Sequence, residues 1–160
     1  MALVMERSPQ TFSKLKEEEI RDHFLMVLNS HYEGQATGET FNYGGKTDIL
    51  IRVEGKNVFI AECKFWRGEK ELRKTIDQLF RYTSWRDTKT AILLFNKDRD
   101  FSSVLNKIGS ATKSHACCKR EHNLISAKLR NETTFSYIFH QPNDKNRELI
   151  LTIMAFDVPK

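Results

Sequence analysis

The sequence contains little cysteine and no long apolar run, and each shortage argues against a class of protein. Its three cysteines, Cys63, Cys117 and Cys118, are odd in number and two are adjacent, which argues against a disulfide framework. No apolar stretch approaches the roughly 20 residues that a membrane-spanning helix needs. The first residues also lack the basic start and apolar stretch of a secretory signal. We therefore expect a cytoplasmic protein in a reducing compartment, with no membrane partner.

Glycine and proline are too sparse to mark a linker between domains. The chain has 7 Gly and 3 Pro in 160 residues, and it contains no internal repeat or low-complexity tract. This length suits one domain with a buried core. We expect residues 1–12 to be a leader or flexible N-terminus and residues 13–160 to form that domain.

Charge is plentiful in both signs, with a modest positive excess. The chain has 26 Lys and Arg against 21 Asp and Glu, which gives a formal net charge of +5. This excess is compatible with a nucleic-acid partner but is too small to require one.

Apolar residues recur at helical spacing in some segments and at strand spacing in others. A helix is predicted over Lys14–Tyr32, with Ser13 as its cap, and a short strand is predicted around Thr40 to Asn42. The later predicted elements are strands Asp48–Val53 and Asn57–Lys64, helix Glu69–Arg86, strand Thr90–Phe95, helix Phe101–Ile108, and strands Thr134–His140 and Leu149–Phe156. The fold class is therefore α/β, a mixed β-sheet flanked by helices with the core order α-β-β-α-β, followed by a helix and a C-terminal β-hairpin.

Three ionisable residues stand at the ends of two otherwise apolar strands. Asp48 opens the first strand, and Glu62 and Lys64 lie near the end of the second, two residues apart and therefore on one face. A hairpin brings Asp48 within reach of Glu62. Two neighbouring carboxylates repel each other, and a hard divalent cation such as Mg²⁺ removes that repulsion. A lysine beside such an ion can position a water molecule or neutralise charge on a phosphate.

The spacing of Asp48, Glu62 and Lys64 resembles the D…ExK signature of the PD-(D/E)XK nucleases, the restriction-endonuclease-like superfamily. The resemblance implies that Asp48 and Glu62 bind Mg²⁺, with Mn²⁺ able to substitute, and that the carbonyl of Cys63 adds a ligand. It also implies that Lys64 helps to activate the attacking water. We therefore expect a restriction-endonuclease-like fold and hydrolysis of DNA phosphodiester bonds.

Two further features extend the resemblance. Many family members supply another acidic residue from a leading helix, and here Glu17 falls within the apolar stripe of the first helix, with Glu18 as the alternative. Gln78 and Tyr82 resemble the QxxxY motif of the RecB-like branch and share one flank of the second helix. The resemblance gives Gln78 a place in the active site or at the DNA beside it.

The expected partner is DNA. The residues expected to contact it are Lys46, Arg67, Lys74, Gln78 and Tyr82. The resemblance favours an endonuclease that acts in restriction, phage defence or DNA processing. Because no target-reading domain is evident, we expect specificity to come from a partner subunit, a further domain or a homodimer.

Three alternatives remain open on the sequence alone. Asp48, Glu62 and Lys64 can form a structural ion-pair network without catalysis. The nuclease-like fold can serve as an inactive module that binds nucleic acid or protein. RNA can replace DNA as the substrate, since nothing in the residues separates the two.

Overall fold

The chain folds into one seven-stranded mixed sheet with helices on both faces. The computed structural model describes residues 2–32, 34–42, 44–98, 100–122 and 132–158. Its helices are α1 (Ala2–Arg7), α2 (Pro9–Phe12), α3 (Glu17–Tyr32), α4 (Glu69–Arg81) and α5 (Phe101–Lys113). Its strands are β1 (Ala36–Asn42), β2 (Gly45–Val53), β3 (Lys56–Phe65), β4 (Lys89–Asn96), β5 (Cys118–Glu121), β6 (Thr134–Gln141) and β7 (Asp144–Asp157). Within the described residues, no helix combines the length and apolarity needed to cross a membrane.

The sheet has the strand order β1-β2-β3-β4-β7-β6-β5 and is antiparallel at both sides of a parallel centre. Strands β1, β2 and β3 form an antiparallel meander, while β4 lies parallel to both β3 and β7. Helix α4 makes the crossover between β3 and β4. Strands β7, β6 and β5 continue antiparallel, so the predicted C-terminal hairpin of β6 and β7 is confirmed.

The strands bury side chains on both faces, which is why they read as apolar runs in the sequence. Leu50 and Ile60 pack on one face with α4 and α5. Ile49 and Ala61 pack on the other face, in the core that contains Ile20 of α3. The alternation along β2 and β3 therefore divides the molecule into two cores separated by the sheet.

The β2–β3 hairpin matches its prediction closely. Its turn residues Glu54 and Gly55 both have positive φ, at 50° and 74°. This conformation suits the twist of a two-residue hairpin and favours glycine at the second position. The turn sets the pairing of Val53 with Lys56, and a β-bulge between Ile51 and Arg52 then shifts the register so that Leu50 pairs with Ile60.

The N-terminal segment differs from its prediction. Residues 1–12 were expected to be a loose leader, but α1 and α2 occupy residues 2–7 and 9–12. Met5 is fully buried and Phe12 is 5% exposed, and both belong to the core beneath α3. Ser13 ends α2, where its backbone N–H donates to the carbonyl of Pro9. It does not cap α3, because α3 begins only at Glu17. The core therefore includes this segment.

Several predicted boundaries are corrected by tertiary contacts. Helix α3 begins at Glu17 and not Lys14, and α4 ends at Arg81 and not Arg86. Helix α5 continues to Lys113. The core order becomes α-β-β-β-α-β because β1 is a full strand paired along β2, where only a short strand had been predicted. Strand β5, at the far edge of the sheet, was not predicted.

Candidate functional site

The candidate site lies where β2 and β3 separate. Their backbone pairing runs from the turn as far as Ile49 opposite Ala61. Beyond this point a side chain takes over, because the Thr47 hydroxyl donates to the Ala61 carbonyl over 3.1 Å. The strands thus form a fork, and Asp48 stands on one side of it with Glu62 on the other. A fork of this kind exposes backbone groups of β3 that the adjacent strand would otherwise pair.

Two carboxylates accept hydrogen bonds from backbone N–H groups of β3 that β2 does not pair. Asp48 Oδ2 accepts a hydrogen bond from the N–H of Cys63 over 2.8 Å. Glu17 Oε1, from the first turn of α3, accepts from the N–H of Phe65, also over 2.8 Å. The second oxygen of Glu17 lies 3.8 Å from Lys64 Nζ. The structure therefore brings Glu17, Asp48 and Lys64 together, as the sequence predicted.

Glu62 is the most deeply buried acid of the site. Its residue is 1% exposed, and its Oε2 accepts a hydrogen bond from Gln78 Nε2 over 3.1 Å. Within the described residues nothing donates to Glu62 Oε1. Burial, together with the nearby charge of Asp48, raises the pKa of Glu62 to about 8, and Lys64 opposes this rise. The arrangement thus holds a carboxyl group whose ionised form would be repelled by Asp48, and whose Oε1 receives no hydrogen bond from a described residue.

Cys63 contributes through its backbone and not through sulfur. Its side chain is 1% exposed and packs in the core on the α3 face. Burial raises the pKa of this thiol well above its usual value, and the charge of Asp48 adds to the rise. In an extended strand the N–H and C=O of one residue point to the same side, so the Cys63 carbonyl faces the fork with its N–H. The carbonyl that the sequence predicts as a ligand therefore faces the fork.

A small cavity of about 50 Å³ opens into the fork. It is lined by Glu17, Glu18, Arg21, Asp48, Cys63 and Lys64. In the described part of the chain, no three His, Cys, Asp or Glu side chains form a ready-made metal cluster. The carboxylates that line this cavity are those of Glu17, Glu18 and Asp48. Glu62 is not part of the lining, but it lies close enough to Asp48 for the two charges to interact, so Asp48 and Glu62 are oxygen donors that a hard cation could share with a backbone carbonyl.

Arg21 was missed by the sequence reasoning. It is 8% exposed, lines the cavity, and ion-pairs with Glu39 of β1 at 3.1 Å and with Asp22 at 3.0 Å. The available signal was its position one helical turn after Glu17, which places both residues on the same side of α3. Arg21 ties the helix to β1 and places a positive charge beside the acidic fork.

Gln78 and Tyr82 have different positions although they share a helix flank. Gln78 contacts Glu62, whereas the Tyr82 ring lies against Gly45 at the start of β2. A Cβ atom built on Gly45 would lie 2.3 Å from the Tyr82 ring. The backbone carbonyl of Tyr82 also accepts a hydrogen bond from the Asn42 side chain. Tyr82 therefore anchors the β1–β2 hairpin to α4.

The structure separates the remaining predicted DNA contacts. Lys46 sits over the Phe41 ring, with its Nζ 5.2 Å from the ring centre. Lys74 pairs with Glu71 at 3.2 Å on the exposed side of α4. Arg67 is exposed and lines an open groove that also includes Glu17. Of these three residues, Arg67 is the one that lies near the acidic cavity, because its groove shares the lining residue Glu17 with that cavity.

Comparison with known proteins adds no relative. No family model, curated protein or solved structure matches this chain. Two opposed carboxylates and a carbonyl can hold a hard cation. The neighbouring lysine can meet an anionic substrate beside that cation.

Proposed function

We propose that this protein is a magnesium-dependent nuclease of the PD-(D/E)XK type that hydrolyses phosphodiester bonds in DNA. The observation that carries this proposal is the state of Glu62. Its carboxylate is buried, faces the charge of Asp48, and has one oxygen to which no described residue donates. A purely structural site would satisfy both oxygens of this buried group, because a buried polar atom without a partner costs free energy.

The donor set fits a hard divalent cation. Asp48 and Glu62 would hold Mg²⁺ or Mn²⁺ together with the Cys63 carbonyl, and Glu62 Oε1 would then gain the partner that it lacks. The bound ion would lower the pKa of a coordinated water and neutralise charge on phosphate oxygens. Gln78 donates a hydrogen bond to the other oxygen of Glu62, Oε2, and this bond fixes the orientation of the carboxylate.

Lys64 is placed to act on the substrate side of the fork. Its amine lies 3.8 Å from Glu17 and borders the same cavity as Asp48. In this position it orients the attacking water and neutralises charge that develops on the phosphoryl group. Glu17 holds the lysine and, through the N–H of Phe65, fixes α3 on β3.

The architecture supports the finer fold assignment that we propose, a restriction-endonuclease-like core. The order of a leading helix, an antiparallel hairpin, a crossover helix and a parallel third central strand agrees with the resemblance, with β1 as an added strand. We infer DNA as the substrate, an endonucleolytic mode and a cytoplasmic role in restriction, phage defence or DNA processing. A homodimer or a further domain or subunit would supply sequence specificity.

Plasmid cleavage tests the proposal. The parent protein is incubated with supercoiled and linear DNA in Mg²⁺, Mn²⁺ or EDTA, beside Glu62→Gln and Lys64→Ala. We expect metal-dependent nicking that falls about 100-fold or more in both variants. Lys56→Ala is the matched control, since this exposed lysine begins the same strand at the opposite end from the fork.

Two results would contradict the nuclease assignment. One is the absence of any metal-dependent cleavage of plasmid, linear DNA or RNA. The other is cleavage that persists in both site variants. DNA binding without cleavage would favour the alternative of an inactive nucleic-acid-binding module.

A further inference from the structure

An open groove of about 380 Å³ runs beside the acidic fork. Its floor is formed by Leu15 and Phe65, and four cationic side chains border it. These cations are Lys14, Lys16, Arg67 and Lys97. They come from three separate parts of the chain: the α2–α3 connection, the residues after β3, and the residues after β4. The packing of α3 on β3 brings the first two of these parts together, and Lys97 joins them by contacting Leu15 and Phe65.

One of these cations is held in place by the fold. Lys97 Nζ donates to the backbone carbonyl of Leu15 over 3.0 Å. The same amine lies 4.1 Å from the centre of the Phe65 ring, a cation–π contact. Lys97 therefore presents a fixed positive charge at the groove, which lowers the entropy lost when an anion binds.

The other three cations are exposed and not engaged with acids. Within the described residues, Lys14, Lys16 and Arg67 form no ion pair. By contrast, Arg73 and Lys74 of α4 pair with Glu69 and Glu71. The groove therefore gathers three cations whose charge no described acid neutralises.

The groove is continuous with the acidic cavity. Glu17 and Glu18 line both spaces, and Glu17 contacts Lys64 at their junction. The three groove cations that pair with no described acid outnumber these two acids, so the lining of the groove has a positive excess. A chain of phosphates lying in the groove would pass directly beside Lys64.

We propose that this groove binds the phosphodiester backbone of a DNA strand and guides it to the fork. The contacts are to phosphates and not to bases, so binding is independent of sequence and sensitive to salt. The route differs from the one expected from sequence, because Lys74 takes no part in it. Guidance towards cleavage rests on the proposed nuclease function, whereas binding of DNA by the groove does not.

The test measures binding without cleavage. A fluorescein-labelled DNA oligonucleotide is titrated with the Glu62→Gln protein in EDTA, and fluorescence anisotropy is followed over a range of salt concentrations. The groove variant adds Lys14→Gln, Lys16→Gln and Arg67→Gln. The matched control adds Lys56→Gln, Lys107→Gln and Lys145→Gln, three exposed lysines outside the groove with the same change in net charge.

We expect the groove variant to bind DNA at least about tenfold more weakly at moderate salt. The slope of log K against log salt should fall by roughly 0.9 for each lost phosphate contact. The control should stay within about twofold of its parent, and thermal melting should show that both variants are folded.

Three outcomes would overturn the proposal: no binding by the parent protein, equal loss in groove and control variants, or unchanged salt slopes in the groove variant. Polyglutamate that competes with DNA as strongly as unlabelled DNA would also overturn it, in favour of an acidic protein partner. Groove-dependent binding without plasmid nicking would instead retain the groove and reject only the nuclease assignment.

Discussion

Glu62 is buried with its charge opposed by Asp48, and this single residue makes the stability of the fold depend on pH. Its pKa is raised to about 8 in the folded chain, first by burial and then by Asp48. In the unfolded chain a glutamate has a pKa of about 4.3. The folded state therefore binds the proton more tightly, and the stability that this difference contributes is present at low pH. It is lost as pH rises from about 4 through 8.

Replacing Glu62 with glutamine tests this balance at the residue scale. In the absence of divalent metal, we expect the parent protein to lose on the order of a few kcal/mol of unfolding free energy relative to Glu62→Gln between pH 5 and pH 9. The amide retains an acceptor for Gln78 and carries no charge. Urea unfolding at a series of pH values measures the difference. Glu54→Gln, at an exposed turn, serves as the control and should parallel the parent. Identical pH profiles for the parent and Glu62→Gln would contradict the assigned pKa.

Glu17 and Arg21 show which side chains helical periodicity can predict and which it cannot. The stripe of apolar residues in α3 predicted Glu17 as the acid of the site, with Glu18 as the alternative. Both line the cavity, and Glu17 is the one that accepts the N–H of Phe65, because helical periodicity orients side chains without knowledge of the partner. Arg21, one helical turn after Glu17, was not predicted, because a buried arginine is recognisable only when its partners are known. Glu39 of β1 is such a partner, and it lies 18 residues away in sequence.

At the scale of elements, the β1–β2 hairpin is held against the C-terminal end of α4. Asp87 is 4% exposed and accepts hydrogen bonds from the side chains of Asn42 and Asn57 and from the N–H of Ser84. These bonds hold the residues between Arg81 and Asp87 in a turn. Helix α4 therefore ends at Arg81, before its predicted end. The hairpin that carries Asp48 is thus positioned through the helix that carries Gln78.

The contact between Gly45 and Tyr82 provides a test of this attachment. We expect Gly45→Ala to lower the unfolding free energy by about 1–3 kcal/mol, because its Cβ would overlap the Tyr82 ring. Gly109→Ala is the matched control. Gly109 lies within α5, where a new Cβ has its nearest neighbour at 3.8 Å, so this change should stabilise the protein by about 0.5–1 kcal/mol.

Chemical denaturation of both variants measures the two effects. Truncating the ring should relieve the clash, so Gly45→Ala should cost less in a Tyr82→Ala background than in the parent. An equal cost in both backgrounds would show that the ring is not the obstacle.

At the scale of the whole molecule, the site connects the two cores. Glu17 belongs to the helix that packs on one face of the sheet, and Gln78 belongs to the helix that packs on the other. Their side chains meet β3 from opposite faces at Phe65 and Glu62. A cation bound at the fork would therefore stabilise both layers together, and metal binding should raise the melting temperature of the whole domain.

Proton release measures this coupling. Because the pKa of Glu62 is about 8, its carboxylate is mostly protonated at pH 7, and a cation that binds there must displace the proton. We expect Mg²⁺ or Mn²⁺ to raise the melting temperature and to release close to one proton at pH 7. Titration calorimetry in two buffers of different ionisation enthalpy measures the release. Glu62→Gln should abolish both effects. A metal-induced shift in melting temperature that persists in this variant would place the cation elsewhere.

Local periodicity was sufficient to predict the elements near the site. Alternation along Asp48–Val53 and Asn57–Lys64 predicted the hairpin and put Glu62 and Lys64 on one face, because strand geometry depends only on neighbouring residues. Helical spacing likewise predicted the flank shared by Gln78 and Tyr82. The order of the acidic residues, Gln78 and Lys64 along the chain could also be read without coordinates.

Only the tertiary structure decided the long-range features. The burial of Met5 and Phe12, the full extent of β1, and the separate positions of Gln78 and Tyr82 all depend on contacts between distant segments. The same is true of the basic groove, whose cations come from three separate stretches of the chain. The physical reason is that burial, charge neighbours and clefts are properties of packed surfaces. Periodicity along one segment shows which side of that segment is apolar, but not which partner will cover it.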